Sequence, residues 1–311
     1  MRVIFMGSPT VAVHPLEALV AAGYEVVAVV TQPDRPAGRG GKLTPPPVKT
    51  AALALGLPVL QPATLRDPEV VATIAACAPD LGVVAAYGEI LRRNVLAIPP
   101  LGFLNIHPSL LPLYRGPTPV TGAILAGDEF TGVTIIRLDP GMDSGPILAQ
   151  AVVPLPSAVR AAALTDELFR LGARLLVEAI PPYAAGSLVP RPQDHTLATV
   201  TSMLTKADGH VDWSKPALVI ERMIRAYDPW PGTVTTWRGQ DLRLRNAVVH
   251  PDVRAEEPPG TLLGRAESGA PLILTGSGAL EVTELHPAGR RPLTGTAWLN
   301  GLRELIGKMG T

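Results

Sequence analysis

Between Arg2 and Val153 short apolar runs alternate with amphipathic stretches, and this alternation restricts the fold more than any other feature. The runs at Arg2–Phe5, Tyr24–Val30, Leu57–Leu60, Leu81–Ala86, Phe103–His107, Gly132–Arg137 and Ile147–Val153 predict strands. Amphipathic spacing predicts helices near 10–21, 47–55, 68–77, 117–126 and 163–179. Strands that short and that apolar are buried by helices, so the pattern predicts an α/β domain with an open, mostly parallel, doubly wound sheet. Ligands of such sheets sit beyond the carboxyl ends of the strands, which directs attention to the residues just after each run.

From Ile180 to about Lys206 the composition turns to Pro-Pro, Gly-Ser and Pro-Arg-Pro, the mark of an extended connection. The expected division is a first domain at 1–185, a linker at 186–206 and a second domain at 207–311. The last part carries one helical stretch, Lys215–Arg225, and β-type runs at 233–237, 242–249, 261–264, 271–275 and 279–285, which predict a small β-barrel. With 27 basic and 27 acidic residues a uniformly basic nucleic-acid coat is excluded, and charge has to be read locally. Cys77 is the single cysteine and reads as a small buried hydrophobe, since it can form neither an intrachain disulfide nor a Cys-rich metal site. Gly7-Ser8-Pro9 interrupts the apolar Val3–Met6 at once, leaving no signal-peptide core and no membrane span, so a soluble cytoplasmic protein is expected.

Common cofactor motifs fail. The turn after the first strand lacks the Gly-x-Gly-x-x-Gly pattern, and the stretch 36–43, which ends Gly41-Lys42-Leu43, has Pro36 and Leu43 where a phosphate loop needs Gly and Ser or Thr. The dense signal is Asn105-Ile106-His107-Pro108-Ser109-Leu110-Leu111-Pro112, continuing to Gly116 and Pro119, directly after a strand. Residues 105 and 107 of a strand share a face, so an amide donor and an imidazole can converge on one ligand atom. Taken alone, the pair fits a turn cap and a satisfied histidine at least as well. Further on, Gly132–Arg137 feeds a tight loop, Leu138–Pro146, that holds Asp139 and Asp143; Asp139 reads as serving its own turn.

Asn-x-His, then Ser-Leu-Leu-Pro-x-x-x-Gly-x-x-Pro, then Asp-x-Gly at this distance, resembles the catalytic core of the formyltransferases that use 10-formyltetrahydrofolate. The resemblance implies Asn105, His107 and Asp143 as the catalytic trio. It implies folate contacts from Ser109, Leu110, Leu111 and Pro112, from Ile90 and Leu91 after the fourth strand, and from Asp139, Gly141 and Gly145. On this reading 10-formyltetrahydrofolate is the co-substrate and no metal takes part. A neutral amine attacks the formyl carbon, Asn105 and a cationic His107 stabilise the oxyanion, and Asp143 holds His107 charged and accepts the amine proton. Activity is then expected to fall as pH rises through the titration of that cation.

The stretch Thr31–Pro45 resembles the long loop of the branch of this family that acts on methionyl initiator tRNA. Residues 31–49 carry Arg35, Arg39, Lys42 and Lys49 against Asp34 alone. The resemblance implies Arg35, Arg39 and Lys42 as tRNA contacts, with Gly38 and Gly40 permitting close approach to a groove. Val211-Asp212-Trp213-Ser214 and Ile224–Gly232 resemble the start of that branch's OB-like C-terminal domain, with Trp213 and Trp230 read as packing anchors. The partners implied are initiator methionyl-tRNA and 10-formyltetrahydrofolate, bound by a monomer with no membrane contact. Two other readings are a formyltransferase for an amino sugar nucleotide and a non-catalytic folate- or RNA-binding module. Residues 205–311 hold 13 basic against 12 acidic side chains. RNA affinity is therefore expected to fall only shallowly with salt, and a steep slope of log K against log salt concentration would contradict a contact confined to a few cations.

Overall fold

The structure is a computed structural model that describes residues 1–37, 41–302 and 307–310. Among these residues the chain runs β1 (Arg2–Gly7), α1 (Val13–Ala21), β2 (Glu25–Val30), β3 (Arg35–Ala37), β4 (Lys42–Thr44), α2 (Pro47–Ala54), β5 (Val59–Leu60), α3 (Pro68–Ala76), β6 (Leu81–Ala85), α4 (Arg93–Leu96) and β7 (Phe103–His107). It continues through α5 (Pro119–Ala126), β8 (Phe130–Arg137), β9 (Ile147–Pro154) and α6 (Ala161–Ala184). A seven-stranded sheet has the order β5-β2-β1-β6-β7-β8-β9. Its pairings are parallel from β5 to β7 and antiparallel for β7–β8 and β8–β9, the mostly parallel sheet that the apolar alternation predicts.

Apolar residues at both parities of a strand mean burial on both faces. In β1, Val3 and Phe5 enter one cluster with Leu16, Leu19, Phe169 and Leu176, while Ile4 and Met6 enter another with Ile74, Tyr87, Leu91 and Val95. The order in which strands are added reverses between β1 and β6, where Gly7 lies opposite Ala85. A Cβ on Gly7 would come within 2.8 Å of the Ala85 carbonyl oxygen, so only glycine lets the two strands end side by side.

Three expectations are corrected here. Residues 35–44 read as an irregular loop, but β3 and β4 pair antiparallel, with Arg35 opposite Thr44. Pro36 and the glycines hide the strand pattern, and Pro is tolerated because each strand has a free edge. Helix α6 does not stop near residue 179 but runs through Ile180, Pro181 and Pro182 to Ala184. Proline so close to the end forfeits few bonds, the carbonyls of Pro181 and Pro182 accept from Ala185 and Ser187, and the Tyr183 hydroxyl donates to the Leu101 carbonyl at 2.7 Å. Trp230 is 52 % exposed rather than packed, because it sits in the turn after α7 (Ala217–Ala226), outside any element that could present it to the core.

By contact density the chain divides into two compact units: Met1–Pro119 with Phe130–Pro154 and Thr165–Thr201, and Val120–Glu129 with Leu155–Leu164 and Ser202–Thr311. In the first, Arg191 and Ile147 exchange two backbone hydrogen bonds of 2.8 Å, and Thr201 donates to the Arg115 carbonyl at 2.8 Å. The second contains α7, β10 (Thr233–Trp237), β11 (Gln240–His250), β12 (Leu262–Arg265), β13 (Pro271–Leu274), β14 (Ala279–Pro287), β15 (Leu293–Thr294) and α8 (Gly295–Asn300). Its antiparallel sheet has the order β10-β11-β14-β13-β12, with β15 beside β14. Residues 307–310 then bond to both edges: Gly310 donates to the Thr236 carbonyl of β10, and Leu262 of β12 donates to the Gly307 carbonyl. The sheet thereby curls toward a barrel around Trp237 and Trp298, whose rings meet edge to face at 5.4 Å. No helix among the described residues is long and apolar enough to cross a membrane.

One close contact in the first core joins β6 to β7. The Phe103 ring covers Gly82, where a Cβ would lie 2.1 Å from the ring. Gly82→Ala is expected to cost about 1–3 kcal/mol through overpacking, read as a lowered urea midpoint with unchanged slope.

Candidate active site

Strand β7 sets the first two groups. Asn105 and His107 alternate onto the same face as Phe103, and β7 ends at His107. Asn105 is half-buried, and its carboxamide makes no hydrogen bond to any described residue. His107 is 4 % exposed. Its Nε2 stands 2.8 Å from the Tyr114 carbonyl oxygen, and since a carbonyl only accepts, that nitrogen carries the proton.

The third group arrives from the 138–146 loop, which folds back after β8. Asp143 Oδ2 lies 3.6 Å from His107 Nδ1 and accepts the Gly116 amide at 2.8 Å. Asp143 holds φ +47°, an uncommon conformation for a residue with a side chain. At 3.6 Å the two acceptors leave a gap that a donor from a third molecule would bridge.

Burial pushes the His107 pKa below its ordinary value, against the opposing pulls of the Asp143 carboxylate and the Tyr114 carbonyl. Desolvation outweighs the pull of the neighbouring carboxylate and so works against the standing cation expected from the sequence.

The other sequence candidates separate by burial. Ser109 is fully buried and donates to the Leu113 carbonyl at 2.7 Å, and Leu111 packs with Ile136 and Ile147, so both shape the turn after β7. Leu110 lies over Gly132, and the Pro112 carbonyl accepts from Thr199. Leu91 belongs to the core, whereas Ile90 is 77 % exposed. The Asp139 carboxylate accepts from Ser144 Oγ and the Gly141 amide, the turn-serving role expected of it. Gly141 and Gly145 are demanded by close approach, since a Cβ on Gly145 would stand 1.9 Å from the Arg137 carbonyl oxygen. A cleft of about 450 Å³, lined by Arg93, Leu96, Arg137, Leu138 and Asp139, borders this loop without reaching the trio. On the β3–β4 hairpin Arg35 and Lys42 are exposed, while Arg39 falls outside the described residues. Lys49 is held at 2.8 Å by Asp34, whose carboxyl is kept below its usual range by hydrogen bonds from Gln61 and then Lys49, so Lys49 adds little to the exposed charge.

Sequence reasoning missed the 191–201 stretch. Gln193 donates to the carbonyls of Asp143 and Gly145, Arg115 donates to Gln193, and the hydroxyls of Thr199 and Thr201 accept from the backbone amides of Tyr114 and Thr118. The only signal was a glutamine and two threonines in a proline-rich connection, and nothing local to them points to residues so distant in sequence.

The described site is thus a strand-borne amide and imidazole with a loop carboxylate beside the imidazole, at the end of an α/β sheet. The chain belongs to the formyl transferase family: residues 1–180 match the formyl transferase model and residues 203–303 its C-terminal domain. It is 69 % identical over 302 residues to the methionyl-tRNA formyltransferase of Chloroflexus aggregans, covering 97 % of each chain. It is 44 % identical over 301 residues to that of Symbiobacterium thermophilum, covering 97 % of this chain and 92 % of the relative. Among solved structures it is similar in fold to HypX from Aquifex aeolicus in complex with tetrahydrofolic acid, at TM-score 0.62 and 20 % identity over 96 % of this chain and 47 % of that one. It is also similar to an N-formyltransferase from Helicobacter canadensis, at TM-score 0.63 and 17 % identity over 90 % of this chain and 98 % of that one.

With its native pKa below the unfolded value, His107 favours the unfolded chain increasingly as pH drops, and its basic form persists through neutrality. An NMR titration of the ring is expected to give a midpoint below about 6.5; a midpoint higher than that would restore the standing cation.

Proposed function

We propose that the chain transfers the formyl group of 10-formyltetrahydrofolate to the α-amino group of methionyl initiator tRNA, in the cytoplasm where translation begins. The acceptor rests on one observation above all: likeness to methionyl-tRNA formyltransferases covers 97 % of the chain, including the β3–β4 hairpin and the second unit. The donor set suits a formyl carbonyl, because Asn105 has an uncommitted amide and His107 has an unprotonated nitrogen beside a carboxylate.

An α-amino group titrates near about pH 8, so part of the acceptor is already neutral and needs placement more than activation. Its nitrogen attacks the formyl carbon, and Asn105 donates to the oxyanion that forms. The amine proton passes to His107 Nδ1, where Asp143 stabilises the imidazolium across the 3.6 Å gap. That proton goes on to nitrogen 10 of the folate as its bond to the formyl carbon breaks, so the site ends as it began. Arg35 and Lys42 supply the exposed cations of the hairpin for the RNA backbone, and Arg39 is assigned with them.

Incubation with labelled formylfolate should formylate methionyl initiator tRNA and leave an amino sugar nucleotide unreacted; the opposite preference would replace the acceptor. Asn105→Ala is expected to lower kcat by about 10²–10³-fold with little change in KM. Lys42→Ala should instead raise KM for tRNA alone. Unchanged turnover in Asn105→Ala and Asp143→Ala would leave only a binding module.

A further inference from the structure

We propose that Gln193, clamped by Arg115, is the positioning residue that aims the Asp143 carboxylate, a role that rests on the reading of Asp143 as part of the transfer site. Gln193 is 5 % exposed and Arg115 8 %, and both lie in the first unit with the trio. Arg115 donates through Nε and Nη2 to Gln193 Oε1 at 3.1 and 2.7 Å. A guanidinium only donates, so the glutamine oxygen must face it and the amide nitrogen must face away. That nitrogen has two hydrogens and spends them on the carbonyls of Asp143 and Gly145, each at 2.7 Å.

Two carbonyls two residues apart are thus drawn to one atom, and the backbone between them turns with Asp143 at φ +47°. A left-handed residue of this kind persists only where its surroundings over-determine it, and the Gln193 amide does so from the backbone side. The side chain is fixed from the other direction by the Gly116 amide, and Gly116 follows Arg115 in sequence. Arg115 itself is pinned by backbone bonds to Thr199 and Thr201 and donates through Nη2 to His195 Nδ1 at 3.0 Å. No carboxylate lies within ion-pair distance of Arg115 among the described residues. A buried cation held only by neutral acceptors is a costly arrangement for mere packing. It is accounted for if the orientation of the glutamine amide is what Arg115 serves.

The discriminating variant is Gln193→Glu. It offers Arg115 a better partner, yet a carboxylate cannot donate and turns its oxygens on the two carbonyls. We expect kcat for tRNA formylation to fall about a hundredfold, with KM for both substrates nearly unchanged and the thermal midpoint preserved. Gln193→His retains one ring donor, is expected to fall less, and reads the same property if Gln193→Glu proves unstable. In an Asp143→Ala background Gln193→Glu should cost nothing further, because it acts through that carboxylate. Full kcat in the Gln193 variants while Asp143→Ala is inactive, or losses that multiply in the double variant, would overturn the positioning role alone. Full activity of Asp143→Ala would instead remove the catalytic reading beneath it.

Discussion

One direct hydrogen bond ties the turn after β7 to the Asp143 carboxylate. The Gly116 amide donates to Asp143 Oδ2 at 2.8 Å and so couples the turn after β7 to the loop after β8. Because β8 runs antiparallel to β7, its loop begins level with Phe103, whose carbonyl accepts from Leu138, and must travel back to reach His107. Without an anchor at the far end nothing in sheet geometry would bring a carboxylate there. The return path is short and tight, as the close approaches at Gly141 and Gly145 require.

That anchor decides the electrostatics. A carboxylate 3.6 Å from a buried imidazole pulls its pKa up, and burial pulls it down harder. The two effects oppose each other at one ring, and the carboxylate that favours its charged form stands beside it without direct contact. Separation without contact thus keeps both groups available to an incoming amine.

The sheet was legible because its signal is local. Val3 and Phe5 against Ile4 and Met6 announce burial on both faces, and the strand at Phe103–His107 emerges with the bounds read from the sequence. The meeting of His107 with Asp143 was legible only through the resemblance of their motifs to the formyltransferases. What stayed hidden depends on tertiary choice. The charge state of His107 is set by burial that no motif records. The β3–β4 hairpin is masked by Pro36 and glycines, and the run of α6 through Pro181 and Pro182 is carried by Tyr183 and the buried Ile180. Gln193 reaches Asp143 across 50 residues, a pairing invisible to any window along the chain.

The barrel-like sheet of the second unit is fastened at both rims by residues 307–310, and its members Val120–Glu129 and Leu155–Leu164 come from far earlier in the chain. During synthesis the first unit has all its own residues once Thr201 has left the ribosome, whereas the second still lacks the residues that fasten its sheet. Translation thus delivers the seven-stranded sheet whole about a hundred codons before the barrel-like sheet receives its fastening.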